Sequence, residues 1–142
     1  MIELWTDGSA QPHPGPGGFA VLNENGEPLI ARKSHRETTT NIRMEGWALI
    51  AAMTYARGKE CEIHTDSQLW INILTKWAPT WEEKNWRKKS GEIKNLDLVK
   101  KAYSLYKVGN VHLIYVRGHI GVELNEKADY WAKEAREGKV NI

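Results

Sequence analysis

Cysteine is almost absent. Cys61 stands alone, so no internal disulfide can form and no cysteine-based zinc site can be built. Long apolar runs are missing too, which excludes a membrane-spanning helix, and the N-terminus lacks the basic-then-apolar layout of a secretory signal. A cytoplasmic location is expected. Neither sign of charge dominates: 20 Lys and Arg against 18 Asp and Glu leave +2, too mild to announce a nucleic-acid partner globally. No repeat, linker or low-complexity tract divides the chain, so residues 1–142 are expected to form one domain around one core. Tryptophan, by contrast, is plentiful. There are seven, and Trp70, Trp77, Trp81 and Trp86 fall within one short stretch.

The chain opens on Ile2-Glu3-Leu4-Trp5-Thr6, a β-favouring run ending in Asp7. Gly8-Ser9-Ala10, then Pro12, Pro14 and Pro16, are expected to stop that strand and leave Asp7 where strand becomes loop. Taken alone, Asp7 reads as the start of a turn held by an Asx-type hydrogen bond. Phe19–Leu22 and Pro28–Arg32 read as two more strands, joined where Asn25-Gly26 supplies positive φ angles, which completes an antiparallel meander. Apolar residues then recur at Met44, Trp47, Ala48, Ala51, Ala52 and Tyr55 with helical spacing. Thr40 or Asn41 can cap that helix, Gly58 ends it, and Glu45 falls in its first turn beside the apolar stripe.

Cys61–Asp66 is a fourth strand. A helix between it and the first strand makes a right-handed crossover, so the two run parallel and Asp7 and Asp66 finish at the same edge. Neighbouring strands lie about 4.8 Å apart, so the two carboxylates can converge, and a divalent cation is the usual remedy for their repulsion. Ser67–Lys76 is expected to be a helix interrupted by Pro79. In Trp81–Lys89, Lys84, Arg87, Lys88 and Lys89 alternate with Trp81 and Trp86. That mixture suits phosphate contact and stacking on bases or sugars, and equally suits a Trp-rich core flank with a solvated charged face. Asn95 can cap a helix over Leu96–Tyr106, Val111–Val116 is a fifth strand, and a glycine-flanked loop carries His119. The last helix runs from about Glu123 to Glu137, with Leu124, Ala128, Trp131, Ala132 and Ala135 inward. Asp129 sits at the margin of that stripe, where by itself it reads as a solvent-side residue.

Four acids thus fall at places that one sheet edge can gather: Asp7, Glu45, Asp66 and Asp129. Oxygen-only ligation favours Mg²⁺ or Mn²⁺ over zinc. Such a cluster can hold two ions ~4 Å apart, one activating water and one stabilising the leaving 3′ oxygen of a phosphodiester, with His119 moving protons.

Five motifs in order carry a resemblance: Thr6-Asp7-Gly8-Ser9 with Pro14-Gly15-Pro16-Gly17-Gly18, Thr40-Asn41-Ile42-Arg43-Met44-Glu45, Thr65-Asp66-Ser67-Gln68, Lys94-Asn95-Leu96-Asp97-Leu98, and Gly118-His119-Ile120-Gly121 ahead of Asn125–Asp129. Together the chain resembles type 1 ribonuclease H over essentially its whole length. The resemblance implies an α/β fold of the ribonuclease H type. Its five-stranded mixed sheet, in order 3-2-1-4-5 with the first three strands antiparallel, has helices on both faces. It implies endonucleolytic cleavage of the RNA strand of RNA–DNA hybrids, giving 5′-phosphate and 3′-hydroxyl ends. By position, Asp7, Glu45, Asp66 and Asp129 are the implied metal ligands and His119 the catalytic histidine. Glu45 is also an implied 2′-hydroxyl contact. Thr40 and Asn95 match residues that grip a DNA-strand phosphate, Asn41 a minor-groove contact, and Trp77 and Trp81 an aromatic channel for deoxyribose. The segment holding Lys84, Trp86, Arg87 and Lys88 resembles the basic protrusion of bacterial members.

This sequence departs from the pattern in places. Ile42 stands where many relatives carry a second Asn, Glu82-Glu83 where the protrusion is usually basic, and Leu69 where an aromatic is frequent; no hybrid-binding module is expected ahead of Asp7. Modest affinity and low processivity are therefore expected, as is a monomer without an obligate protein partner. The alternatives are a non-catalytic hybrid-binding module and a DNA-directed nuclease of the same superfold.

Overall fold

A computed structural model describes residues 1–117 and 122–142; His119, the expected catalytic histidine, lies outside the described residues. Strands β1 (Ile2–Ala10), β2 (Gly17–Leu22) and β3 (Pro28–Lys33) form the meander. Helix α1 (Asn41–Ala56) crosses to β4 (Cys61–Thr65). An irregular helical run follows: α2 (Gln68–Asn72), a π-helical turn at Ile73–Trp77, and α3 (Ala78–Glu83). Helix α4 (Leu96–Val108), β5 (Val111–Tyr115) and α5 (Glu123–Arg136) complete the fold. The sheet order is β3-β2-β1-β4-β5, as expected, with β1–β2 and β2–β3 antiparallel and β1–β4 and β4–β5 parallel.

Successive strand residues face opposite sides of a sheet, so the adjacent glycines Gly17 and Gly18 show which helix covers which side. A Cβ on Gly17 would meet Thr39 and Met44 on the α1 side, and one on Gly18 would meet the α5 backbone at Ala132 and Arg136. The two faces are filled differently. On the α1 side Leu4, Val21, Leu49, Ile63, Trp70 and Leu98 form a large core, whereas under α5 the contact is made by Ala20, Ala31, Ala132 and Ala135. Small residues there let α5 lie close to the strands. Among the described residues no helix is long and apolar enough to cross a membrane.

Several local expectations need correction. Strand β1 does not end at Asp7: its antiparallel pairing with β2 continues from Trp5↔Leu22 to Ala10↔Gly17, although its parallel pairing with β4 stops at Trp5↔His64. Ladder hydrogen bonds on one side outweigh the weak strand preference of Gly8 and Ser9. In the β2–β3 connection only Gly26 has positive φ, and the turn is held instead by Asn23 Oδ1, which accepts from the N–H groups of Asn25 and Glu27. Thr40, not Asn41, caps α1, so Glu45 lies beyond the first turn. The helix ends at Arg57, whose left-handed φ of 51° precedes Gly58. Its buried arc is wider than one stripe because α1 packs on α4 as well as the sheet; Leu49, Ile50 and Met53 are buried while Tyr55 is exposed. Pro79 interrupts nothing. It falls in the first turn of α3, where a missing N–H costs no helical bond.

Candidate active site

Asp7, Glu45 and Asp66 arrive from β1, α1 and the residue just past β4, and one oxygen from each lies within 4.8 Å of the others. Three features hold them there. Thr6, buried next to Asp7, donates its hydroxyl to the His64 carbonyl at 3.1 Å, a cross-strand tie just where the parallel ladder ends. Gly8 then lets α1 close on the strand: a Cβ at this position would stand 2.2 Å from the Met44 carbonyl carbon and 2.3 Å from the Glu45 nitrogen. No side chain fits, and the absence of one brings Glu45 to Asp7. Ser67 does double duty on the β4 side. Its Oγ accepts from Trp70 N–H to cap α2, and its hydroxyl is hydrogen-bonded to the Glu45 carboxylate.

The electrostatics are those of crowded, half-dry carboxylates. Burial raises the Asp7 carboxyl well above its ordinary value, and Asp66, Asp129 and Glu45 add to the rise; the Gly8 N–H, donating to Asp7 Oδ1 at 2.9 Å, opposes it. Burial first and Asp66 second push Glu45 up to about 7, against the Ser67 hydrogen bond. Groups so arranged gain most from a cation, which removes the repulsion and replaces lost hydration. The donors are all carboxylate oxygens, which fits a hard divalent ion, so these three residues could hold one.

Asp129 is near enough to raise Asp7 but falls outside the tight trio, and its Oδ2 pairs with Lys133 Nζ at 2.9 Å, one turn along α5.

The candidate substrate residues are found in differing states. Thr40 is committed as the α1 cap, its Oγ1 accepting from Arg43 N–H at 3.2 Å. Asn41 Oδ1 accepts from Ala10 N–H at 2.6 Å, tying the end of β1 to the start of α1. Asn95 stands at the N-cap of α4, but its side chain makes no capping bond; it sits at φ 57° with its Oδ1 accepting from Arg43 Nη1 at 3.3 Å. Trp77 is exposed and its ring centre lies 6.2 Å from that of half-buried Trp81. Lys84, Arg87 and Lys88 are exposed, whereas Trp86 is held against α4, edge-on to Tyr103 and under Lys100. Trp86 is thus partly a core-flanking residue. Sequence reasoning did not single out Thr6, Gly8 or Arg43, because each acts through a partner distant in the chain.

Similarity to known proteins agrees with this geometry. Residues 1–137 match the RNase H family. The chain is 36% identical over 139 residues to the ribonuclease H of Acidiphilium cryptum (strain JF-5), covering 96% of this chain and 87% of that protein. It is 37% identical over 145 residues to the ribonuclease H of Granulibacter bethesdensis (strain ATCC BAA-1260 / CGDNIH1), covering 96% and 92%. Its fold is similar to that of LC9-RNase H1, a type 1 RNase H with the type 2 active-site motif, with a TM-score of 0.77 and 26% identity over 99% of this chain and 74% of that one. It is also similar to LC11-RNase H1, crystallised in complex with an RNA/DNA hybrid, with a TM-score of 0.63 and 25% identity over 98% and 99%. The matching motifs, the strand order and the gathered carboxylates have one common explanation: the chain belongs to the ribonuclease H family.

Proposed function

We propose that the protein is an endonuclease that hydrolyses the RNA strand of RNA–DNA hybrids, leaving 5′-phosphate and 3′-hydroxyl ends. The observation that carries this is the meeting of Asp7, Glu45 and Asp66 within 4.8 Å in a chain of this family. Asp129, paired with Lys133 in this structure, would complete the proposed ligand set. Two magnesium ions, or manganese, would supply the charge that activates a water and stabilises the departing 3′ oxygen.

The chain's own groups do the selecting. Glu45 accepts from a 2′-hydroxyl, which only the RNA strand offers. Thr40 and Asn95 hold a phosphate of the DNA strand, Asn41 reaches the minor groove, and Trp77 with Trp81 receives a deoxyribose. Lys84, Arg87 and Lys88 attract phosphates beyond the cleaved bond, with Trp86 as their support. His119 is assigned to proton movement by its place in the sequence. The lone, buried thiol of Cys61 suits a reducing compartment, and we assign the protein to the cytoplasm as a monomer.

The test is cleavage of end-labelled hybrid, double-stranded RNA and DNA duplex in parallel, each with Mg²⁺, Mn²⁺ or chelator. Only the hybrid should be cut, and only with metal. Retarded but intact hybrid would mean a binding module, and cut DNA duplex a nuclease of different specificity.

A further inference from the structure

Arg43 holds both of the side chains assigned above to the DNA-strand phosphate. Its backbone N–H donates to Thr40 Oγ1 at 3.2 Å. A hydroxyl that accepts in this way keeps its own proton for another partner. Its guanidinium crosses to the head of α4, where Nη1 donates to Asn95 Oδ1 at 3.3 Å. The same guanidinium makes a fork to Asp97, Nη1 to Oδ1 at 3.1 Å and Nη2 to Oδ2 at 2.9 Å.

The chemistry of these contacts sets a direction. Arginine carries donors only, so the Asn95 amide must offer its oxygen to Arg43 and turn its NH₂ away. Nothing at the start of α4 competes for that amide, because Asn95 makes no capping bond through its side chain. The Arg43 side chain is only 13% exposed and its fork is filled, which leaves it poorly placed to touch substrate itself.

We propose that Arg43 is a positioning residue for the phosphate grip. Its guanidinium fixes the Asn95 amide, beside a Thr40 hydroxyl already held by the backbone N–H of the same residue, so that both present donors to one backbone phosphate of the DNA strand. Without it the Asn95 amide is free to rotate and offer its oxygen, an acceptor, to an anion. Arg43 also offsets the negative charge of Asp97, whose carboxyl its fork holds below the ordinary value. This inference rests on the assignment of Thr40 and Asn95 to the phosphate.

The experiment measures KM and kcat on an RNA–DNA hybrid with saturating Mg²⁺, together with thermal midpoints. The variants are Arg43→Gln, Arg43→Lys, Asn95→Ala and each Arg43 change combined with Asn95→Ala. Arg43→Gln should raise KM about tenfold, the scale of one hydrogen bond to a charged group, with a smaller change in kcat. In the Asn95→Ala background the same change should add less than about twofold, because its target is gone. Arg43→Lys keeps the charge but not the fork, so KM should rise several-fold, again only when Asn95 is present. If Arg43→Gln fails to fold, the Lys variant carries the test. A KM raised by Asn95→Ala but unmoved by either Arg43 change would overturn the inference alone. So would Arg43 effects that multiply fully with that of Asn95→Ala. A KM unmoved by Asn95→Ala would overturn the phosphate assignment and the inference with it.

Discussion

The rim where Asp7, Glu45 and Asp66 meet and the arm running from Ser67 to Asn95 are built on opposite terms. At the rim, each carboxylate comes from an element locked by a long-range contact: the Thr6–His64 tie, the Gly8–Met44 approach, the Ser67 hydroxyl. The arm is a succession of short helical pieces broken by a π turn, with Asn85 and Trp86 both at positive φ and most of its charged side chains in water. Ligating an ion demands placement within a fraction of an ångström, so the rim tolerates little change. Attracting a polyanion, the role proposed for the arm, demands charge and reach rather than rigid placement.

The sharpest break in that contrast is Asp7→Asn. It should lower kcat at least about a thousand-fold, yet keep or raise the metal-free thermal midpoint because one of several crowded acids loses its charge. A metal-free variant that melts well below metal-free wild type would make Asp7 structural instead. Next is Gly8→Ala. The added carbon meets backbone rather than a flexible side chain, so α1 must move, at a cost of about 3 kcal/mol by denaturant unfolding and a further loss of turnover as Glu45 shifts.

The rim should also be pH-sensitive where the arm is not. Glu45 is raised from 4.5 to about 7, so its neutral form is favoured by folding. Its contribution to stability is fully present below pH 4.5 and is lost as pH rises through about 7, on the order of 3 kcal/mol in the metal-free protein. Metal-free unfolding curves across that window measure the loss, and saturating Mg²⁺ should flatten it; equal slopes with and without the ion would contradict the proposed ligation. In the arm, Arg87→Ala should weaken hybrid binding only a few-fold and reduce the slope of log affinity against log salt by about 1. The smallest effect is expected at Thr39, whose buried hydroxyl has no hydrogen-bond partner among the described residues. Thr39→Val should stabilise by up to about 1 kcal/mol without altering cleavage.

Much of this was legible in the amino-acid order. The strand runs, the helix between β1 and β4 and the handedness of that crossover suffice to bring Asp7 and Asp66 to one edge; the full strand order β3-β2-β1-β4-β5 was an expectation carried by the resemblance to ribonuclease H, and the sheet has it. Local chemistry was less dependable where distant groups compete for the same atoms. Asn95 has the composition of a helix cap, yet Arg43 takes its oxygen and its backbone turns left-handed. Gly8 and Ser9 look like strand breakers, but β2 pairs through them. Pro79 looks like a helix stop and falls instead at a helix start.

The sequence by itself determined the period of each element, the direction in which the strands run and the identity of the oxygen ligands available, because these follow from side-chain type and spacing along the chain. Only the tertiary structure decided which of those oxygens crowd together and how far each departs from its ordinary protonation. Burial and repulsion depend on separations in space: Asp7, Glu45 and Asp66 are held together by a glycine without a side chain and a threonine bonded across strands, while Asp129 is drawn aside to Lys133.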